Sequence, residues 1–478
     1  MQLPETFIQQ TRQLFGEERF ERFLKAFDEE PPVSIRLNPM KLKMDEGRGK
    51  GEEGRCEIDE AELVPWCRHA YYLAKRPNFT FDPLFHAGCY YVQEAASMFL
   101  DEVLRQLVNS EQLTVNSYDY PSNAETGHKS NHNYSLFTIN CQQPNETGHK
   151  SNHNYSLFTI HCHQALDLCA APGGKSTLLR TALPPDCVLY SNEPMKNRAS
   201  ILLENVTKWG YDHHHVTNLY PKDYRKAKMK FDLILCDVPC SGEGMFRKDE
   251  ATIKEWSPQN VEHCWQLQRE IVADAWACLN DGGVLIYSTC TVNTKEDEEN
   301  IRWILEEFDA EVLPIATKPE WNITGSLLEG FDAPVYRFIP GITRSEGLFM
   351  CVLRKGGKRE KDDAKRKAAP LRLMQPDFGL QPSDNKHQSS DLSLPTSDIK
   401  VELSYAQAIN YLRHEALVLP PDTPRGLVEV CFMGYPLGLM KNIGNRANNL
   451  YPKEWRIKTT HVPQDYEPVL RLTDKPSE

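Results

Sequence analysis

The sequence predicts an α/β fold: a doubly wound, mostly parallel sheet between a small amino-terminal α+β module and a small, largely β carboxyl-terminal domain. Three observations predict it. Short apolar runs at 165–168, 188–191, 215–216, 231–236 and 284–287 have strand length, and helical patterns at 174–183, 195–209, 258–279 and 295–308 alternate with them. A glycine-rich turn at 169–175 joins the first of these strands to the first of these helices. Two cysteines, Cys240 and Cys290, directly follow two of the runs, where a parallel sheet presents residues to its ligand crevice.

Taken from the amino terminus, residues 4–28 place phenylalanines and leucines at near-helical spacing, with Pro4 suited to a first turn. An alternating strand, 33–37, is stopped by Pro39, and a Gly/Glu/Lys/Arg-rich tract at 44–55 reads as a loop. Aromatic residues at 64–85 complete the module, 1–89. The catalytic unit is expected over 90–356, with Gly210 closing the 195–209 helix in the C′ position. Inside it lies a repeated insert, 117–163: the segment 125–139 recurs unchanged at 146–160. Two copies do not make a solenoid. The pairs His128/His132 and His149/His153 could share a helical face, but their Asn and Gly neighbours disfavour that helix, so no metal is expected and the insert reads as a surface loop. Residues 357–400 have the composition of a flexible linker. Residues 401–478 read as a separate domain, with a strand at 427–432 and a turn at 433–436.

Composition narrows the class. The chain has 478 residues, 40% hydrophobic and 26% charged, which suits a globular protein with a substantial core. No apolar run reaches bilayer-spanning length, and residues 1–15 do not resemble a signal peptide, so a cytoplasmic location without membrane contact is expected. There the 14 cysteines stay reduced; none forms a Cys-x-x-Cys knuckle of the structural-zinc type. The net charge of −12 is unlike that of a nucleic-acid binder taken whole, but phosphate contact needs only a local basic face.

The turn Cys169-Ala170-Ala171-Pro172-Gly173-Gly174-Lys175-Ser176 admits two readings. A P-loop needs G-x-x-x-x-G-K-[ST], which this stretch misses only at Cys169, and the run ending in Asp237 mimics the strand whose Asp holds magnesium. A nucleotide triphosphatase is therefore a rival. Three features favour a nucleoside-type cofactor. Pro172 removes an amide that a phosphate cradle would use, and Glu193 ends the second strand where a carboxylate binds ribose hydroxyls. The strand-end cysteines, finally, have no role in phosphoryl transfer. A thiolate at an open strand end is a nucleophile, and two of them near one methyl-donor site suit covalent catalysis on a pyrimidine; singly, each would pass for a small buried hydrophobe.

The motifs at 167–176, 192–194, 237–244 and 288–291 together resemble the RsmB/RsmF (Nop/Sun) family of RNA 5-methylcytosine methyltransferases. The segments 91–98, 244–248, 436–439 and 448–452 resemble its RsmF-like branch, which acts on 16S ribosomal RNA. The resemblance spans nearly all of the chain except the insert and linker. It implies a Rossmann-like S-adenosylmethionine-dependent methyltransferase sheet and a PUA-like carboxyl-terminal domain. It also implies S-adenosyl-L-methionine as cofactor and small-subunit rRNA as partner, naked or in the assembled subunit; no DNA partner and a monomer are expected, although the sequence itself does not give the oligomeric state. Cys290 would then be the nucleophile at carbon 6 of cytosine, Cys240 would assist product release, and Asp237 would hold the cytosine edge near the cofactor. Residues 169–175 would wrap the cofactor, with Glu193 on its ribose. Many relatives carry an aspartate after the third strand where this chain has Asn218, whose side-chain oxygen can still accept the adenine amine. Arg446, Lys453, Arg456 and Lys458, beside Tyr451 and Trp455, suggest phosphate contact with base stacking. A third reading is a non-catalytic rRNA-binding assembly factor.

Overall fold

The structure is a computed structural model that describes residues 3–44, 56–108, 138–140, 154–156, 161–357, 368–378, 380, 392–459, 461–463 and 465–472. The four histidines of the repeat lie outside the described residues.

The central sheet has eight strands. Five are parallel, in the spatial order His214–Thr217, Val188–Asn192, Gln164–Asp167, Phe231–Asp237 and Leu279–Thr289. The strand order reverses between Gln164–Asp167 and Phe231–Asp237, so the ligand crevice opens at the carboxyl ends of those two, beside Asp167 and Asp237. Every expected strand is present. Leu348–Lys355, Tyr336–Phe338 and Ala310–Val312 extend the sheet antiparallel on the Leu279–Thr289 side. The sequence pattern did not single these out: Tyr336–Phe338 and most of Leu348–Lys355 are buried on both faces and lack the period-2 signature, and Ala310–Val312 is only three residues long. Leu348–Phe349–Met350–Cys351–Val352–Leu353 are all at most 3% exposed.

Helices Gly174–Ala182, Lys196–Trp209, Pro258–Cys278 and Glu298–Glu307 cover the sheet. Gly210 ends the second with φ 79°, its N–H bonded to Val206 O, and Ser257 caps the third by accepting the Asn260 N–H. The helical pattern at 4–28 divides into Glu5–Phe15 and Glu17–Lys25 with a short turn, Ala26–Asp28. Gly16 causes the break: its φ of 72° lies in the left-handed region, and no helix runs through it. The aromatic face of these helices is buried against the loops that follow the two cysteines. Phe7 meets Phe246 at 5.1 Å and Trp256 at 5.5 Å between ring centroids, and Val292 belongs to the same cluster.

Three expected boundaries shift. The first sheet, in the order Glu62–Leu63, Ala70–Leu73, Val33–Leu37, Tyr90–Val92, runs past residue 89. Its strand Val33–Leu37 carries Arg36, whose guanidinium donates to Gln93 Oε1 at 3.0 Å and Thr177 Oγ1 at 2.6 Å, so the module braces the helix that follows the glycine turn. Part of 357–400 is ordered rather than a flexible linker. Met374 donates to Val216 O at 2.8 Å, Leu373 bridges Thr217, and Leu392 is 1% exposed against Leu202 and Val206. Its scattered apolar residues find the open edge of the central sheet, a match that a polar composition conceals. Lys400 also already belongs to strand Lys400–Glu402, parallel to Gly426–Phe432; Tyr435–Asn442 and Ala447–Asn449 complete that sheet.

The carboxyl-terminal domain has its own sheet and also packs on the first module. Leu403, Ile409 and Val428 share one buried cluster with Leu37, Leu84 and Tyr90 of the first module. Tyr466 donates to Asp82 Oδ1 at 3.0 Å and Tyr405 to Phe81 O at 3.2 Å across this contact. Small units bury a smaller share of their surface, so a shared cluster adds core to both. Among the described residues no helix is long and apolar enough to cross a membrane.

Candidate active site

The glycine turn leaves the sheet at Asp167. Ala170 N–H bonds to Asn192 O at 2.8 Å, which ties the turn to the neighbouring strand. Gly173 has a φ of 118°, a conformation closed to side-chain-bearing residues, and it opens the helix Gly174–Ala182. Two side chains of helix Lys196–Trp209 hold the turn's carbonyls: Arg198 donates to Ala171 O at 3.1 Å and Asn205 to Pro172 O at 2.8 Å. Seven residues apart, they share one helix face. That spacing was the signal available in the sequence, and it was missed.

Arg198 also approaches Glu193, with Nη1 at 3.3 Å from Oε2, so turn and carboxylate form one wall. Glu193 is 1% exposed, and its Oε1 accepts the Met195 N–H at 2.9 Å. Beside it, Asn218 donates its amide nitrogen to Glu193 O at 2.7 Å and Pro194 O at 2.9 Å. The side-chain oxygen therefore faces away from these carbonyls as an acceptor.

On the other side of the crevice, Lys175 Nζ lies 2.8 Å from Asp237 Oδ2, and Ser288 Oγ donates to Asp237 Oδ1 at 2.6 Å. Burial pulls the Lys175 ammonium down, but Asp237 outweighs it and the net pKa is raised. Asp167, fully buried, is pushed up to about 7 by burial; Ser176 donates to its Oδ2 at 2.5 Å, while Oδ1 has no hydrogen-bond partner.

Cys240 and Cys290 lie side by side, Sγ to Sγ 3.1 Å, in partly buried positions. The parallel ladder of strands Phe231–Asp237 and Leu279–Thr289 brings them together: Val238 N–H reaches Ser288 O at 3.0 Å and Gly244 N–H reaches Cys290 O at 2.7 Å. A Cβ at Gly244 would stand 2.6 Å from Cys290 O and 2.7 Å from Gly347 O, so only glycine lets the loops approach this closely. The hydrogen bond with Cys290 and then burial raise the Cys240 thiol well above its ordinary value, so it is held protonated at neutral pH. Cys169 and Cys236, also raised by burial, are inert by the same rule. Glu243, Asn293 and Glu296, which hold this corner together, were not singled out in the sequence because the bonds that tie Glu243 to Thr291 and Glu296 to Ser241 join loops of different strands.

The donor and acceptor balance tests the two cofactor readings. A triphosphate needs donors and positive charge. The crevice offers Glu193, Asp237 and the Asn218 oxygen, and its lysine is already paired. This acceptor set fits the ammonium, ribose hydroxyls and adenine amine of S-adenosylmethionine, and it disfavours a nucleoside triphosphate.

The expected stacking platform is corrected. Tyr451 is 2% and Trp455 8% exposed; they pack on each other, on Phe378 and over the Lys208 ammonium, and cannot stack on bases. Arg446, Lys453, Arg456 and Lys458 are exposed.

Three family models match the chain: "16S rRNA methyltransferase RsmB/F" over 158–354, "N-terminal domain of 16S rRNA methyltransferase RsmF" over 3–95, and "Methyltransferase RsmF PUA domain" over 399–457. The chain is 27% identical to a ribosomal RNA small subunit methyltransferase F of Aliivibrio salmonicida, covering 95% of this chain and 97% of the relative. It is 23% identical to one of Erwinia tasmaniensis, covering 94% and 96%. Among solved structures it is similar to a methyltransferase homolog protein from Pyrococcus horikoshii (TM-score 0.52, 22% identity, 74% of this chain and 95% of that one). It is also similar to NSun6 of the same organism, solved with SFG (TM-score 0.51, 18% identity, 74% and 99%). At these identities the two structures show the fold alone.

Proposed function

The chain belongs to the 16S rRNA methyltransferase RsmB/F family, and from that premise we propose that it methylates carbon 5 of a cytosine in small-subunit ribosomal RNA, using S-adenosylmethionine. The single observation that carries the chemistry is the Cys240–Cys290 pair, 3.1 Å apart at the ligand end of the sheet, with Asp237, the last residue of strand Phe231–Asp237, just before Cys240 in the chain.

Carbon 5 of cytosine is a poor nucleophile. When bound, S-adenosylmethionine supplies an electrophilic methyl group. Cys290 loses its proton and its sulfur bonds to carbon 6, which makes carbon 5 enamine-like and nucleophilic. Once carbon 5 carries the methyl group, its proton is lost to solvent, the carbon–hydrogen electron pair restores the carbon 5–carbon 6 double bond, and the sulfur–carbon 6 bond breaks with its pair returning to Cys290. Cys240, held as a thiol, assists that release. Asp237, fixed by Lys175 and Ser288, has the acceptor geometry to take the cytosine amine, and Cys169, Ala170, Ala171, Pro172, Gly173, Gly174, Glu193 and Asn218 hold the cofactor. The exposed Arg446, Lys453, Arg456 and Lys458 contact RNA phosphates. We assign the enzyme to the cytoplasm as a monomer.

The test supplies purified protein with radiolabelled methyl donor and unmodified small-subunit RNA, naked or in subunits as separate arms. Label in 5-methylcytosine in either arm is the expected result. Absence of label from both arms contradicts the proposal.

A further inference from the structure

Two buried glutamates cross-brace the cysteine loops. Glu243 follows Cys240 by three residues yet grips the other loop: its Oε2 accepts Thr291 Oγ1 at 2.6 Å and the Val292 N–H at 3.0 Å. Its Oε1 accepts the Trp256 indole N–H at 2.9 Å and Asn293 Nδ2 at 3.1 Å. Glu296 follows Cys290 and does the reverse. Its Oε2 accepts the Ser241 N–H at 3.0 Å and Gln268 Nε2 at 2.8 Å, and its Oε1 accepts Asn293 Nδ2 at 2.8 Å. The Asn293 amide sits between them; its Oδ1 accepts the Glu296 N–H at 2.9 Å. Ser241 and Thr291, each next to a cysteine, touch through their hydroxyls at 3.1 Å.

Burying two carboxylates costs several kcal/mol of hydration each, and apolar side chains would fill the same space with less penalty. What the pair provides is direction, because each oxygen fixes a donor on a particular loop. Glu243 is 3% and Glu296 0% exposed, and every carboxylate oxygen of the pair is already taken by a protein donor, so neither is left to hold a cytosine. We propose that Glu243 and Glu296, coupled through Asn293, are positioning residues that hold the two thiols in register, Glu243 setting Cys290 and Glu296 setting Cys240. The proposal rests on the reading that both thiols serve one pyrimidine.

Glutamine replaces either residue without a cavity but turns an NH2 toward donors, so Glu243→Gln and Glu296→Gln disrupt the register selectively. The first readout needs neither RNA nor cofactor. Diamide takes two electrons and two protons from the thiol pair, and the Cys240–Cys290-linked peptide is followed by mass spectrometry. Each variant slows this step at least about 10-fold, because the thiols no longer meet in a reactive orientation. Thermal melts identify variants that fold. Should either glutamine variant fail to fold, Thr291→Val removes one of Glu243's donors while keeping shape and slows the step, whereas Thr291→Ser keeps the donor and the parental rate. The second readout is methyl transfer: Glu243→Gln lowers kcat by about 10²-fold without a covalent RNA adduct, and Glu296→Gln accumulates the adduct. A parental chain that transfers no methyl contradicts the functional reading. Folded variants, Thr291→Val included, that oxidise at the parental rate contradict the positioning proposal, whatever the transfer assay gives.

Discussion

Lys175 Nζ stands 2.8 Å from Asp237 Oδ2, so the last residue of the cofactor turn and the carboxylate at the end of the neighbouring strand form one ion pair. The same lysine is the residue a triphosphatase would use on phosphate. Lys175→Met leaves Asp237 oriented by Ser288 alone, and methyl transfer is expected to fall by about 10²-fold. The parental chain is expected to turn over neither ATP nor GTP. Hydrolysis by the parent that disappears in the variant would favour the triphosphatase. Because the Lys175 pKa is raised in the folded state, the pair's contribution to stability is present through neutral pH and is lost only as pH rises past the usual lysine range.

Asp167 gives the protein a pH slope of the opposite kind to most carboxylates. Burial holds its folded pKa at about 7, whereas the unfolded value is about 4. Between those limits the folded state binds the extra proton, so this group's contribution to stability falls as pH rises from about 4 to about 7. Asp167→Asn removes the slope while keeping an acceptor for Ser176. The Tm of the variant relative to the parent is therefore expected to improve between pH 5 and pH 7.5 (roughly the ends of that window). A difference that stays constant across this range would contradict the assignment.

Trp455 is a core residue and its basic neighbours are not. Trp455→Ala is expected to cost about 3–5 kcal/mol, as for other buried large aromatics, visible as a lowered Tm. Arg456→Ala and Lys458→Ala are expected to leave Tm nearly unchanged while weakening RNA binding and flattening its salt dependence. Filter binding at several salt concentrations, beside thermal melts, separates the two. Unchanged RNA affinity in a variant lacking all of Arg446, Lys453, Arg456 and Lys458 would remove the carboxyl-terminal domain from the RNA interface.

The parts of this protein legible in the sequence are those whose signal is local. The five parallel strands, the glycine turn and the strand-end cysteines each depend on a few consecutive residues, and the structure has them at the expected places. What escaped depends on contacts distant in sequence. Leu348–Lys355 is buried on both faces, so no alternation marks it as the sheet's sixth strand. Tyr451 and Trp455 look like a stacking platform until Phe378 and Lys208 are seen to cover them. Glu243 and Glu296 have no recognisable spacing, because each bonds a loop some fifty residues away in the chain. Arg198 and Asn205, by contrast, were within reach: one face of one helix carries both.

The central claim is that two adjacent thiols divide one reaction, Cys290 adding to carbon 6 and Cys240 assisting release. The most direct test incubates Cys240→Ala and Cys290→Ala with methyl donor and substrate RNA and resolves the products on denaturing gels. Cys240→Ala is expected to accumulate a covalent protein–RNA adduct, since addition proceeds and elimination stalls. Cys290→Ala is expected to give neither adduct nor 5-methylcytosine, since no nucleophile activates carbon 5. An adduct formed by Cys290→Ala and absent from Cys240→Ala would reverse the two roles and contradict the account.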